Sequence, residues 1–391
     1  MIDSMNKQLI NNIIPANDIE KRFFQELLNT GGGHPSLSLD ELDCTEVSDP
    51  KKLCKNPLVS VSVITYNQER FLRQTLDSII EQKTEFEYEI LIGEDCSTDE
   101  TRKIALDYQK IYPSVIRVFY SIKNVGVTTN LRRNLIKARG KYYAICEGDD
   151  FWCNPEKLKS QVGFLEAHPD FGLIHGNANM VDVNSLLLKP AIQTRCYGDS
   201  ELDQDDLAYD LLSGERSVIT CTALVRKQVL NDAISSFPIL FLTKLRLGDI
   251  QTWLGVSTQS KVHYFPQVFA TYRYSTVSAT SRGNPVKRLE FMADAFVVDM
   301  ICVNSLLEAN QNLKRILCRR LTGVITNLCY LTRTWPLLKT SLLMERLWDV
   351  AWIPMWMTKI LYRVHIPYKV FSLLYRVGRR FRNVCDVANK T

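Results

Sequence analysis

Several common features are missing from this chain of 391 residues, and the absences remove whole classes of function. No stretch offers the roughly 18 uncharged apolar residues that a membrane-spanning helix needs. The best candidate, residues 350–358, is short, contains Pro354, and is flanked by Asp349 and Lys359. The start of the chain lacks the basic residues and apolar run of an export signal, so none is expected. The eleven cysteines include no C-x-x-C pair and no regular spacing. That pattern predicts reduced thiols acting mostly as core filler, in the cytosol, rather than a disulfide framework or a zinc site. The five histidines are equally unhelpful to a metal reading, since His168 and His175 have no partner at ligand spacing. Finally, the first apolar strand leads to no G-x-G-x-x-G and no Walker-type lysine loop, which argues against dehydrogenase-type dinucleotide binding and against a P-loop.

What is present begins with Cys146-Glu147-Gly148-Asp149-Asp150-Phe151-Trp152, directly after the apolar run Tyr142-Tyr143-Ala144-Ile145. A short apolar segment ending in three acids reads as a buried strand that delivers carboxylates to its carboxyl edge, where ligands of open α/β sheets bind. Carboxylates crowded there repel one another unless a cation sits between them, and oxygen ligands suit Mg²⁺ or Mn²⁺. The other reading is an acidic turn before a helix starting near Pro155, with Asp150 or Asn154 as its N-cap.

The flanking pattern favours a parallel sheet. A β-branched strand at 59–64 is followed by a helix carrying Phe71, Leu72, Leu76, Ile79 and Ile80 at helical spacing. A strand at 89–93 leads to the acidic turn 94–99 and a helix through Ile104, Ala105, Tyr108 and Ile111. A strand at 115–120 precedes a helix ending at Gly140, and the 142–146 strand follows. Such alternation predicts an α/β fold with helices on both faces of a mostly parallel sheet. Beyond the acids the spacing predicts a helix at 155–167, strands at 173–176 and 218–225, and a strand pair at 262–265 and 268–272. These readings divide the chain into an extension (1–56, with a helix near 19–28), a catalytic domain (57–285) and a helical region (286–391).

Taken in order, Thr65-Tyr66-Asn67-Gln68-Glu69, Glu94-Asp95-Cys96-Ser97-Thr98-Asp99, Asn124-Val125-Gly126, Gly140-Lys141-Tyr142 and Glu147-Gly148-Asp149-Asp150 resemble the motifs of family 2 glycosyltransferases of the GT-A fold. The likeness covers roughly residues 57–280, and Lys157-Leu158-Lys159-Ser160-Gln161 matches the K-L-x-x-Q of a subgroup with E-G-D-D-x-W. The resemblance implies an inverting transferase that moves a sugar from a nucleotide-diphosphate donor to an acceptor hydroxyl. It implies that Thr65, Tyr66 and Glu69 line the base and ribose pocket and that Asp95 bonds the pyrimidine edge. Asp149 would face the ribose or sugar, and Asp150 would bind the divalent cation, Mn²⁺ or Mg²⁺, with Glu147 in the place of a usual first Asp. Arg132 and Arg133 are candidates for the nucleotide or phosphate, against a solvated helix face. Asp249, in Leu247-Gly248-Asp249-Ile250-Gln251-Thr252-Trp253, is the candidate base, against a helix N-cap. The subgroup's Y-R-x-H is here Tyr272-Arg273-Tyr274-Ser275, so a histidine contact is in doubt. Arg273 and the flexible stretch 275–283 are candidates for a lid over the diphosphate.

The basicity of the chain is a C-terminal property: residues 335–391 hold ten Lys/Arg against three acids, while the whole chain carries only +5. Trp335, Trp348, Trp352 and Trp356 lie among these cations, and from Lys369 an apolar stripe of Val370, Leu373, Leu374, Val377 and Phe381 runs beside Lys369, Arg376 and Arg380. That combination fits a helix lying in an anionic membrane surface, or else one packed on the domain. The expectation is therefore a peripheral protein at the inner face of the cell membrane, with a lipid-linked glycan as acceptor and no nucleic-acid partner. Two rivals stand beside it. One is a catalytically silent nucleotide- or sugar-binding protein. The other is a sugar nucleotidyltransferase, which would want a glycine-rich basic loop where Thr65 to Glu69 stand.

Overall fold

The structure, a computed structural model, describes residues 44–193, 210–211, 216–236 and 249–275. All of them fall within one compact unit, Pro35–Ser278. The expected helix near 19–28, the stretch 276–283 and the basic C-terminal region lie outside the described residues.

The chain alternates as the sequence pattern predicts through its first half. Strand β1 (Thr45–Val47) and β2 (Val59–Thr65) precede helix α1 (Leu72–Ile80), then β3 (Tyr88–Glu94), α2 (Thr101–Ile111), β4 (Ile116–Tyr120), α3 (Val127–Lys137) and β5 (Tyr142–Ile145). After the acidic turn come β6 (Phe151–Trp152), α4 (Lys157–Ala167), β7 (Phe171–Val181), β8 (Leu187–Lys189), a 3₁₀ turn at Thr220–Thr222, β9 (Leu224–Arg226), α5 (Lys227–Ser236), α6 (Asp249–Ser257) and β10 (Lys261–Arg273). One sheet holds them in the order β1-β4-β3-β2-β5-β9-β7-β10-β6, with β8 on β7.

β4, β3, β2 and β5 are all parallel, in register from Val59↔Tyr88 to Thr65↔Glu94. Their carboxyl ends therefore finish together. β9 then pairs antiparallel with β5 and β7, and β6 antiparallel with β10, so beyond β5 the sheet is mixed.

Strand residues are buried on both faces because helices cover both. Val59, Val61 and Val63 face one apolar cluster with Leu72, Leu76 and Ile79 of α1 and Leu158, Val162 and Leu165 of α4. Leu91, Phe119, Tyr143 and Ile145 face the other, with Leu230 of α5 and Trp253 and Val256 of α6. Each such side chain contributes about 1.5–3 kcal/mol when fully buried. Ser60 and Ser62 interrupt the apolar code on β2 because they serve hydrogen bonds instead: the Ser62 hydroxyl accepts from Asn134 Nδ2 at 2.9 Å.

Three elements depart from the sequence expectation. β1 lies within the 1–56 extension, where no strand was expected, added antiparallel to the edge strand β4. The expected strand at 218–225 is a 3₁₀ turn followed by the shorter β9. The two strands expected at 262–272 are one, β10, which crosses Pro266 by shifting register between Phe265 and Val268; an irregularity is what a proline in a strand requires.

Candidate functional site

The parallel block ends in three loops that lock onto each other. The loop after β2 turns at Asn67, whose φ of 52° is one that asparagine tolerates. Its side-chain oxygen accepts from Thr98 N at 2.8 Å, and its own N–H donates to Ser97 Oγ at 3.0 Å. Glu69 N donates to Asp99 Oδ2, while Glu69 Oε2 accepts from Glu100 N at 2.9 Å. Glu69 is thus exposed and ties the loop to the start of α2. Tyr66 stands 45% exposed beside it, a free ring at the rim of the sheet. Thr65 is buried, and its side chain packs so close to Gly148 that a Cβ there would meet Thr65 Oγ1 at 2.8 Å. Glycine at 148 is what lets the acidic turn sit on the end of β2.

Asp95 is nearly buried and grips the third loop, taking Val125 N and Gly126 N at 2.8 Å each. Gly126 has φ 88°, a conformation glycine adopts without strain. Burial pushes the Asp95 carboxyl up, while those two N–H groups and the nearby Arg133 charge pull it down; the net shift is upward. Arg133 is 1% exposed and donates to Ser121 Oγ at 3.1 Å. It lies beneath Asp95 rather than on the solvated face that was the other expectation for it. Arg132 beside it is half-buried.

The acidic turn carries the strongest electrostatic signal. Burial first, then Asp149 and Asp249, push the Glu147 carboxyl up to about 8. Its Oε2 is buried with no hydrogen-bond partner. Burial also raises Asp149, against the opposing pull of Arg273 and a hydrogen bond from the Gln68 side chain. Asp150, 3% exposed, is raised well above the ordinary carboxylate range by burial and by the charges of Asp149 and Glu147. One of its oxygens accepts from Arg273 N at 2.8 Å. Neither Asp150 nor Asn154 is the N-cap of α4: Glu156 holds that position with no side-chain cap bond, and Asn154 Oδ1 accepts from Glu156 N at 2.9 Å in the turn before it.

Asp249, the first residue of α6, comes close enough for its charge to act on Glu147, although about a hundred residues separate them in sequence. Its side-chain oxygen accepts from Ile250 N at 2.9 Å.

One member of the cluster was not visible in the sequence pattern. Cys221, on the 3₁₀ turn before β9, brings its thiol beside the Asp150 carboxylate. Ligand atoms of Glu147, Asp150 and Cys221 all lie within 4.8 Å of one another. Trp152 Nε1 and Gln161 Nε2 hold that turn by donating to the Cys221 and Thr222 carbonyls, both at 2.8 Å. Lys157, fully buried, donates to Gln161 Oε1 at 2.8 Å and lies 4.2 Å from the Trp152 ring centroid. The Trp of the acidic motif and the Lys and Gln of K-L-x-x-Q thus work as one clamp. The only sequence clue was the motif spacing, which named no partner. His168 and His175 sit in aromatic packing, against Phe164 and Tyr264. Arg273, a lid candidate in the sequence, is 3% exposed with its guanidinium bonded inside the protein, so it is not a mobile arm over a ligand.

Crowded carboxylates with raised affinity for protons, one with an unpartnered buried oxygen, are a donor set that suits a divalent cation. The open carboxyl edge, with Tyr66 exposed at its rim, suits a planar ring and, through a cation held by the acids, an anionic group.

Comparison with known proteins agrees with this arrangement. Residues 60–232 match the sequence model of Glycosyl transferase family 2. The uncharacterized protein Rv1520 of Mycobacterium tuberculosis is 44% identical over 112 residues, 29% of this chain and 32% of that protein. The putative teichuronic acid biosynthesis glycosyltransferase TuaG of Bacillus subtilis is 37% identical over 109 residues, 28% of this chain and 42% of that protein. These matches span less than half the length of either relative. Among solved structures, S. aureus TarS 1-349 in complex with UDP-GlcNAc is similar in fold, with a TM-score of 0.51 at 19% identity, covering 73% of this chain and 79% of that one.

Proposed function

We propose that this protein, whose residues 60–232 match the model of glycosyl transferase family 2, is an inverting, metal-dependent glycosyltransferase. It moves a sugar from a nucleotide-diphosphate donor to an acceptor hydroxyl, in the synthesis of a surface polysaccharide or glycolipid. TuaG, by its description, works in teichuronic acid biosynthesis, and the TarS structure holds UDP-GlcNAc; both support the donor class and the setting. The observation that supports the reading is the crowding of Glu147 and Asp150 at the carboxyl edge, with the charges of Asp149 and Asp249 both acting on Glu147.

In this reading Tyr66 gives the base a ring to stack on, Thr65 and Glu69 shape the ribose side, and Asp95 meets the base edge. Arg133, buried behind Asp95, adds positive charge near the nucleotide. Asp149 faces the ribose or sugar, and Asp150, with Glu147 beside it, holds the cation. A bound Mn²⁺ or Mg²⁺ would neutralise the charge that the leaving diphosphate gains. The Asp249 carboxylate takes the acceptor hydroxyl proton as that oxygen bonds to the anomeric carbon. The bond from that carbon to the diphosphate oxygen breaks on the opposite side, and configuration inverts. The acceptor is proposed to be lipid-linked and reached from the inner membrane face through the basic C-terminal region. No helix of the described residues is long and apolar enough to cross a membrane.

The test is hydrolysis of a panel of nucleotide-sugars with Mn²⁺, Mg²⁺ or EDTA, with Asp150→Ala and Asp249→Asn beside the wild type. Slow release of nucleoside diphosphate from one donor, lost with EDTA and with Asp150→Ala, is the expected result. No release together with no metal-dependent nucleotide binding overturns the reading. Binding without transfer to any acceptor favours the silent-binder alternative.

A further inference from the structure

Arg273 ends β10, and nothing in the transfer chemistry above requires it, yet it is among the most heavily bonded side chains near the site. Nε donates to the Asp149 carbonyl at 2.8 Å. One terminal nitrogen donates to the Asp182 carbonyl at 3.1 Å and Ser185 Oγ at 3.0 Å, and the other to Gln74 Oε1 at 2.7 Å. The guanidinium carbon lies 4.5 Å from the Phe71 ring centroid and 5.6 Å from that of Phe151. The backbone N–H of the same residue donates to Asp150 Oδ1 at 2.8 Å.

The pattern differs from an ion pair. The guanidinium contact to the acidic turn reaches a peptide carbonyl, not a carboxylate. Holding the Asp149 carbonyl fixes the peptide plane that joins Asp149 to Asp150 and so restricts the backbone torsions from which both side chains leave. Binding Asp150 Oδ1 with the backbone N–H fixes the second carboxylate directly. The Asp150 side chain stands in for a strand carbonyl here, because β6 pairs with β10 only as far as Thr271↔Phe151. The remaining guanidinium bonds anchor this arrangement to α1 and to the β7–β8 turn. A lysine would supply the charge but not the planar fork that reaches three directions at once.

We propose that Arg273 is a positioning residue for the acidic turn: it sets the directions of the Asp149 and Asp150 carboxylates toward the cation and the donor. This deepens the donor-and-cation reading above and rests on it. The role is separable from a general contribution to folding. A residue that only stabilises the domain lowers its melting temperature and leaves the cation affinity of the folded protein unchanged. A positioning residue changes that affinity while the protein stays folded, and loss of an outer partner of a metal site typically costs about 10- to 100-fold in affinity.

The test uses the full chain with Arg273→Lys, and Gln74→Ala, which leaves Arg273 in place and removes one anchor, in case the first variant does not fold. Mn²⁺ binding in the presence of UDP is followed by the electron paramagnetic resonance of free Mn²⁺, melting by circular dichroism, and amide hydrogen exchange in the peptide containing 148–152. The expected result is weaker Mn²⁺ binding by about tenfold or more in Arg273→Lys, faster exchange at 148–152, and a smaller change of the same kind in Gln74→Ala. Unchanged Mn²⁺ affinity in a folded Arg273→Lys overturns the proposal. If the wild type itself takes up no Mn²⁺, the donor-and-cation reading fails, and the exchange data then decide on Arg273 alone: faster exchange supports positioning of the turn, unchanged exchange overturns it.

Discussion

Glu89 and Glu147 are carboxylates at opposite edges of one sheet, Glu89 on β3 and Glu147 in the turn after β5, the two strands that flank β2. Glu89, at the amino edge, is fully buried and accepts from Ser60 Oγ at 2.7 Å, Arg139 N and Nε at 2.8 Å each, and an Arg117 nitrogen at 3.2 Å. Burial alone raises its carboxyl, but those donors outweigh it and hold Glu89 below the ordinary range. Glu147, at the carboxyl edge, is pushed up to about 8 by burial and by the acids around it, with one oxygen unpartnered. The amino edge is closed by the protein's own cations. The carboxyl edge concentrates negative charge, and the fold leaves its compensation to something that binds. A chain that satisfies one buried glutamate so completely has the means to satisfy the other, and the contrast marks the carboxyl edge as the working one.

The sharpest way to break this contrast is at the closed edge. Glu89→Gln leaves Arg117 and Arg139 without their buried partner and should destabilise the domain by about 3–5 kcal/mol, read as a large drop in melting temperature, with Mn²⁺ binding retained at temperatures where the protein remains folded. At the open edge, Tyr66→Ala should cost about 1–3 kcal/mol of nucleotide binding and leave melting nearly unchanged, measured by calorimetric titration with UDP and GDP. Glu147→Gln removes a repelled charge, so at alkaline pH it should stabilise the cation-free protein, by up to about 1 kcal/mol, while weakening Mn²⁺ uptake. A cation-free Glu147→Gln variant that melts below the wild type at alkaline pH contradicts the contrast.

The pH dependence of the two edges should run in opposite directions. The folded value for Glu147 lies at about 8, above its ordinary 4.5, so between those values the folded protein keeps a proton that the unfolded chain has lost. Its contribution is greatest below the lower value and falls as pH rises to the upper one, and a saturating cation should flatten that fall. Glu89 is shifted downward, so its contribution is present above the ordinary carboxylate value and is lost as pH falls through its folded value. Melting curves of wild type, Glu89→Gln and Glu147→Gln across this range, with and without Mn²⁺, separate the two.

The parallel block was legible in the sequence because its strands are short, mostly β-branched and apolar segments buried on both faces, each followed by a helix with one apolar stripe. The loops were legible because their residues are set by local geometry: an asparagine at positive φ, a glycine at 126, and a glycine where the acidic turn crosses Thr65. What escaped was non-local. β1 is three residues of edge strand in a polar segment, defined by its pairing with β4 rather than by its own pattern. β10 looked like two strands because Pro266 interrupts it, and only its long partner β7 shows it to be one. Cys221 meets Asp150 across 71 positions of sequence, and Arg273 N meets the same carboxylate across 123. No periodicity carries such contacts. The motif order placed Thr65, Asp95, Asp149 and Asp150 near one edge, but the burial of Arg133 and the attachment of Glu69 to α2 needed coordinates.

The most direct measurement is Mn²⁺ titration of the full chain with and without UDP or GDP, comparing wild type with Asp150→Asn. The account predicts that the wild type takes up Mn²⁺, that one nucleoside diphosphate tightens it, and that Asp150→Asn loses it while remaining folded. Wild-type protein that takes up no Mn²⁺ with either nucleotide, or a variant that binds it equally well, would contradict the assignment of the carboxyl-edge acids as a cation site.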